Sequence, residues 1–276
     1  VVCGTGDAGV SGALKNEAQR SDESDFMQLL DAVHCMDNCK GMMMLPDECV
    51  DLVVTSPPYD DLRTYGGHSW DFYGVAWNLA RVLKPGAVIV WNVADQTKDG
   101  SETGTSMRQA LHFQSLGLNL HDTMIYQVAG TGAKGSNLAY WQEWEYCFVL
   151  SKGKPKAWNP IKTGKTTTTG GERRKNTGEV KQQRDRQENE GRPGNIWRYA
   201  VGQDSTGHPA PFPYKMAADH IVSWSNKGDI VLDPFMGSGT TAKAAQELGR
   251  HYIGFEINPE YVEICQRRTA QTTLGI

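Results

Sequence analysis

The spacing of apolar positions changes several times along this chain, and each change marks an element. Val50–Thr55 is an apolar run broken only by Asp51, the pattern of a strand covered on both faces. Ser69–Leu83 puts Phe72, Val75, Ala76, Leu79 and Val82-Leu83 at helical spacing, and Pro85-Gly86 is expected to stop that helix. Ala87–Val93 reads as the next strand and Ser106–Leu116 as a helix ended by Gly117. Asn119–Val128 and Glu145–Leu150 read as two strands separated by a glycine-rich loop, Gly130–Gly135. A helix near Lys215–Ser225, a strand at Asp229–Leu232, a helix at Thr240–Leu248, a strand at His251–Phe255 and a helix at Pro259–Arg268 complete the series. Near the start, Phe26–Val33 is expected to form a short helix leading into a small strand. The alternation predicts an α/β fold with a mostly parallel sheet covered on both faces.

Two stretches escape this periodicity. Residues 1–25 are polar and rich in Gly and Ser, as in a loose arm; Gly4-Thr5-Gly6 follows no strand and so lacks the context of a dinucleotide loop. Residues 152–195 have no period and include Lys162–Gly171 and Glu172-Arg173-Arg174-Lys175. Net charge over the 276 residues is −4, which by itself argues against a polyanionic partner. The distribution argues the reverse. Residues 152–198 hold thirteen Lys/Arg against five Asp/Glu, a local balance of +8, leaving −12 for the rest. That asymmetry points to a segment facing a polyanion.

A hydrophobic fraction of 39% supports a real core. No apolar run approaches the roughly 18 residues of a membrane span. The first residues lack a basic n-region and an apolar h-region, so no signal peptide is expected, and the missing initiator Met implies an absent or processed start. The six cysteines form neither a CxxC pair nor a framework and read as reduced thiols of a cytoplasmic protein, with no metal site expected.

Two short motifs carry the chemistry. Each follows a strand, at the sheet edge where open α/β folds hold ligands. In Val54-Thr55-Ser56-Pro57-Pro58-Tyr59, successive prolines fix the backbone and leave carbonyls without N–H groups. The Ser56 hydroxyl and the Pro57 carbonyl make two rigid acceptors for the two hydrogens of an exocyclic amine, and Tyr59 offers a flat surface for a base. In Asp233-Pro234-Phe235-Met236-Gly237-Ser238-Gly239-Thr240-Thr241, small residues open a helix and let backbone N–H groups approach a ligand. No Gly-Lys-Ser/Thr follows, so it is not a P-loop. Glu256 ends the next strand, where a carboxylate suits ribose hydroxyls. Asp233 suits an ammonium, while Phe235 and Ile257 suit the faces of an adenine. Ammonium, ribose and adenine together describe S-adenosylmethionine better than NAD.

These residues resemble the amino-methyltransferase family of DNA modification enzymes, over most of residues 33–270. Val54–Tyr59 is similar to the catalytic motif of its cytosine-N4 branch; adenine-N6 members more often carry Asp at the Ser56 position. Asp233–Thr241 resembles the family's cofactor loop, and Phe255–Tyr261, with Glu256, Ile257 and Asn258, its ribose-binding strand end. Asp37 resembles an Asp that contacts cofactor near the N-terminus. His208–Pro213 resembles a cofactor-contacting motif upstream of the loop. Catalytic motif first and cofactor loop last is the order of the permuted β class.

The resemblance implies a Rossmann-like class I methyltransferase fold with a strand hairpin. It divides the chain into a loose arm (1–25), a catalytic half (26–151), a basic target-recognition insertion (152–195) and a cofactor-binding half (196–276). It implies methylation of the exocyclic amine of a flipped base in double-stranded DNA, cytosine N4 before adenine N6. Lys165, Arg173, Arg174, Lys175, Lys181 and Arg184 would meet phosphates. A homodimer, a cognate restriction endonuclease and a prokaryotic or phage-infected cytoplasm belong to the same expectation. RNA or protein-amide methylation and a non-catalytic DNA-binding module are the other readings. No Pro-Cys pair occurs, so the thiolate route to carbon-5 methylation has no candidate.

Overall fold

Val50–Thr55 is almost continuously apolar, Asp51 apart, because it runs through the middle of an eight-stranded sheet with helices on both sides. The computed structural model describes residues 24–59, 70–129, 140–162, 165–167, 188–191, 193–200 and 213–272. In chain order the elements are β1 (Ala32–Cys35), α1 (Asn38–Met43), β2 (Val50–Thr55), α2 (Phe72–Val82), β3 (Leu83–Val93), β4 (Thr97–Lys98), β5 (Ser101–Glu102), α3 (Thr105–Ser115), β6 (Asn119–Ala129) and β7 (Trp144–Ser151). They continue with β8 (Lys165–Thr167), β9 (Glu188–Glu190), β10 (Ile196–Ala200), α4 (Tyr214–Trp224), β11 (Ile230–Asp233), α5 (Thr240–Glu247), β12 (His251–Glu256) and α6 (Pro259–Thr272).

The sheet order is β1-β12-β11-β2-β3-β7-β6-β10. All neighbours pair in parallel except those of β7, which runs against both β3 and β6. Side chains alternate between two cores. Val50, Val53, Ile89 and Trp91 pack with Met42, Leu79 and Phe113, and so with α1, α2 and α3. Leu52, Val54, Val88 and Val90 pack with Met216, Ile221, Ala244 and Cys265, and so with α4, α5 and α6. Both sheet faces are covered, so β2 and β3 need no polar side.

Two expectations are corrected, and several elements were not expected at all. The strand expected at Ala87–Val93 begins earlier: α2 ends at Val82, within a residue of its expected end, and β3 starts at once with Leu83, so Pro85-Gly86 lies inside the strand. Val50 pairs with Leu83 and Leu52 with Val88, so residues 84–87 bulge out of the ladder. Gly86 allows this, with φ +83° and its N–H donating to the Lys152 carbonyl at 2.6 Å. Next, the helix expected at Phe26–Val33 is one turn, 24–27, and Val33 already lies in β1 opposite Gly254. Asp31, in the left-handed region at φ 55°, makes the sharp entry and fixes it by accepting from the Tyr252 N–H. Finally, the apolar period gives no sign of α1, β10 or the β4-β5 hairpin. That hairpin turns on Asp99-Gly100, both at positive φ. Within the stretch read as aperiodic, β8 and β9 form a short antiparallel pair. The glycine-rich loop 130–135 and residues 1–23 of the arm lie outside the described residues.

Candidate active site

Four consecutive parallel strands bring their C-terminal ends to one edge of the sheet, and the expected site residues ride on them. Asp37 lies just past β1, Glu256 ends β12, Asp233 ends β11 and Ser56 follows β2. β3 adds Asn92 near its end. Reversed β7 brings its beginning to the same edge, which puts Glu145 beside them.

A hydrogen bond joins the two motifs directly. Thr55 Oγ1 donates to Asp233 Oδ1 at 2.6 Å, a buried contact between residues 178 positions apart. The same oxygen accepts from the Phe235 N–H at 3.0 Å, and Thr241 Oγ1 donates to the Val54 carbonyl at 3.3 Å. Burial pushes the Asp233 carboxyl up to about 6 from 3.8; Thr55, Phe235 and Thr241 oppose that by hydrogen bonding, and the Glu256 charge adds to it.

The Asp233–Thr241 turn is tied to β12 through a carboxylate. Glu256 accepts from the Gly237 N–H through one oxygen and from the Asn258 N–H through the other, each at 2.8 Å. Asn258 Oδ1 in turn accepts from the Glu260 N–H at the start of α6. Gly237 and Gly239 both have positive φ, 51° and 85°. A methyl group on Gly239 would meet Cys265 Sγ at 2.4 Å, so the turn is pressed against α6. Pro234 accepts from Asn38 Nδ2 through its carbonyl at 3.2 Å, which ties the turn to α1. Ser238 is buried, and its hydroxyl and carbonyl both accept from Arg268, each at 2.9 Å. Thr240 is buried as the first residue of α5. Phe235 meets Trp70 edge-on at 4.9 Å, while Ile257 is exposed. Asp37 caps α1, its carboxylate accepting from the Lys40 N–H at 3.0 Å.

The Ser-Pro-Pro-Tyr element is held by side chains instead. Pro57 is buried; Ser56, Pro58 and Tyr59 are half-buried. The Tyr59 hydroxyl donates to Glu145 Oε2 at 2.8 Å and lies 2.8 Å from Ser56 Oγ. Asn92 Nδ2 donates to both Tyr59 and Glu145 Oε2, each at 2.6 Å. Burial first, and then the Glu145 charge, push the Tyr59 phenol well above its ordinary value, so it stays protonated. Asp95, a little beyond Asn92, takes no part: it accepts from the Ser106 N–H and hydroxyl at the start of α3.

Of the six residues expected to meet phosphates, one lies within the described residues. Lys165 lies in β8 opposite Glu190; Arg173, Arg174, Lys175, Lys181 and Arg184 lie outside the described residues. So does His208–Pro213, apart from Pro213, the residue preceding α4. Sequence reasoning missed Asn92 and Glu145. Each had a signal: an isolated polar residue within an otherwise apolar or aromatic strand, at the end nearest the ligand edge.

Three carboxylates, Asp37, Asp233 and Glu256, line the edge beside an exposed apolar residue, Ile257. An acceptor-rich set fits a cationic ligand with ribose hydroxyls and clashes with a pyrophosphate, so these residues fit S-adenosylmethionine. Comparison with known proteins agrees. A family model described as DNA methylase matches residues 50–267. The orphan methyltransferase M.BamHII of Bacillus amyloliquefaciens is 51% identical over 237 residues, which cover 80% of this chain and 89% of that protein. TTHA0409 of Thermus thermophilus, solved in complex with S-adenosyl-L-methionine, superposes with a TM-score of 0.60 at 25% identity, covering 89% of this chain and 97% of that one. The PvuII DNA methyltransferase (cytosine-N4-specific) shares the fold, with a TM-score of 0.63 at 19% identity over 86% of this chain and 85% of its own.

Proposed function

Since this chain belongs to the N6/N4 family of DNA methylases, we propose that it methylates the N4 amine of a cytosine flipped out of double-stranded DNA. As a member it is a DNA amino-methyltransferase of class I fold that uses S-adenosylmethionine, which when bound supplies an electrophilic methyl group on a sulfonium. Our reading assigns the rest. Ser56 Oγ and the Pro57 carbonyl accept the two amine hydrogens and turn the nitrogen lone pair outward. The half-exposed Tyr59 ring flanks the base. Glu256 holds the ribose through its carboxylate, with Ile257 and Phe235 about the adenine. Asp233 and Asp37 answer the cationic end. Pro234, Gly237, Ser238, Gly239, Thr240 and Asn258 shape the turn and its flank. The segment 152–195, with its excess of positive charge, contacts phosphates and reads the site.

The observation that carries this reading is the 2.6 Å bond from Thr55 to Asp233. It brings the Ser-Pro-Pro-Tyr segment and the Asp233–Thr241 turn side by side on adjacent strands, which supports a reading in which methyl passes between two bound groups. The amine is itself the nucleophile, so catalysis is a matter of position and charge. Cytosine is favoured by the hydroxyl at position 56, as in the cytosine-N4 branch that the motif resembles; adenine-N6 members more often carry a carboxylate there. DNA from cells expressing the chain, digested to nucleosides, should contain N4-methylcytosine; N6-methyladenine in its place would reverse the base assignment. Transfer of label to RNA or protein with none to DNA would remove the whole reading.

A further inference from the structure

We propose that Tyr59, Asn92 and Glu145 act as positioning residues that lock the Ser56 hydroxyl into the role of a pure acceptor. This deepens the reading above and rests on it. The argument is a count of hydrogens. Tyr59 has one, and it goes to Glu145 Oε2 at 2.8 Å. Asn92 Nδ2 has two, one for Tyr59 and one for Glu145. Turning the Asn92 amide over would set its Oδ1 against the Glu145 carboxylate at 2.6 Å, two acceptors face to face, so the donor must stand there. The Tyr59 oxygen therefore has no hydrogen left to offer Ser56. The 2.8 Å contact between them holds only if Ser56 donates and Tyr59 accepts. With its single hydrogen committed inward, Ser56 Oγ turns lone pairs alone toward the rest of the site.

The direction of that hydrogen decides whether Ser56 helps or hinders. A serine free to rotate can donate to the amine nitrogen, and that bond occupies the lone pair needed for attack. A serine whose hydrogen is held elsewhere can only accept from the amine, which draws the nitrogen toward a tetrahedral shape with its lone pair free. The buried and raised Tyr59 phenol supports the scheme, because it does not lose the hydrogen that orders the chain. Neither Asn92 nor Glu145 need touch the substrate.

The test is a double-mutant cycle in single-turnover methyl transfer. It uses the full chain, labelled S-adenosylmethionine and long PCR-amplified duplex DNA, which presents many short sites unmethylated. Tyr59→Phe keeps the ring and removes the oxygen that holds the Ser56 hydrogen. The transfer rate should fall by about tenfold to a hundredfold, with cofactor affinity changed by less than about threefold. In a Ser56→Ala background, Tyr59→Phe should cost less than about threefold further, because the group it acts through is gone. Glu145→Gln should lie between wild type and Tyr59→Phe, since the amide still accepts from the phenol. A merely structural role would lower the rate equally in both backgrounds, and that result overturns the inference, as does a Tyr59→Phe enzyme of full activity. Should Tyr59→Phe melt early, the same cycle with Glu145→Gln and Ser56→Ala carries the decision. Wild-type enzyme that transfers no label to DNA condemns the functional reading itself, a different outcome from an active enzyme indifferent to Tyr59.

Discussion

The two halves of the candidate site are held in opposite ways. The cofactor turn is built from backbone: carboxylates of Asp233 and Glu256 collect main-chain N–H groups, and glycines let the chain lie against its neighbours. The Ser-Pro-Pro-Tyr element is built from side chains: a hydroxyl, a phenol, an amide and a carboxylate linked over 2.6–2.8 Å. The first arrangement cannot tolerate added volume, because its neighbours are already in contact. The second tolerates changes of shape and is sensitive to the loss of one hydrogen. The turn is therefore the half on which the fold leans, and in our reading the tyrosine network is the half that serves the chemistry.

The largest effect should come from adding one methyl group to the turn. Gly239 sits at φ 85°, where L-residues are strained, and its new Cβ would stand 2.4 Å from Cys265 Sγ and 3.0 Å from Cys265 Cα. Left-handed strain of about 1–2 kcal/mol adds to overpacking of about 1–3 kcal/mol. Denaturant unfolding of Gly239→Ala should show a loss of about 2–5 kcal/mol together with loss of cofactor binding. A variant that unfolds at the wild-type midpoint would show that the turn is slack and erase the contrast.

How far the sequence foretold this site follows the same division. The strand–turn–helix of residues 230–247 and the carboxylate at Glu256 are local patterns, so apolar runs and a cluster of small residues announce them. The pairing of Thr55 with Asp233 joins residues 178 positions apart and depends on which strands become neighbours. Alternation of strand and helix predicts a sheet without fixing its order. Asn92 and Glu145 were visible only as polar interruptions of apolar strands, and their meeting needs β7 to run backwards beside β3. Pro85-Gly86 hid the early start of β3 for a related reason. A proline and a glycine end a helix when nothing pairs with them, yet here the loop at Lys152–Lys156 accepts the bulge.

A smaller effect is expected at Asp233, where the halves join. Its folded carboxyl titrates at about 6 against 3.8 for the free group, so the folded state binds its proton more tightly than the unfolded state does. The sign follows: stability is greatest below the unfolded value and declines as pH rises between about 4 and 6, by on the order of 2–3 kcal/mol. Asp233→Asn should flatten that part of the stability–pH curve while keeping an acceptor for Thr55. A cationic ligand near Asp233 favours its ionised form, so cofactor affinity should rise with pH through about 6 in the wild type and lose that rise in Asp233→Asn. Unfolding curves at several pH values, paired with calorimetry, measure both. An unchanged decline in Asp233→Asn would assign it to another group.

The smallest effect on the fold should belong to Ser56, the residue that our reading sets against the amine. Ser56 is half-buried, and its hydroxyl meets Tyr59 at 2.8 Å. Removing that hydroxyl leaves the phenol still bonded to Asn92 and Glu145, so no buried donor is stranded. Ser56→Ala should therefore cost about 1 kcal/mol or less in unfolding free energy. Cofactor affinity should stay within about twofold, because Thr55 and not Ser56 makes the bond to the cofactor half. Turnover should nevertheless collapse, since the amine has lost one of its two acceptors. Equal losses of cofactor affinity and turnover in Ser56→Ala would mean that the serine supports the turn, and the division between a structural half and a chemical half would no longer hold.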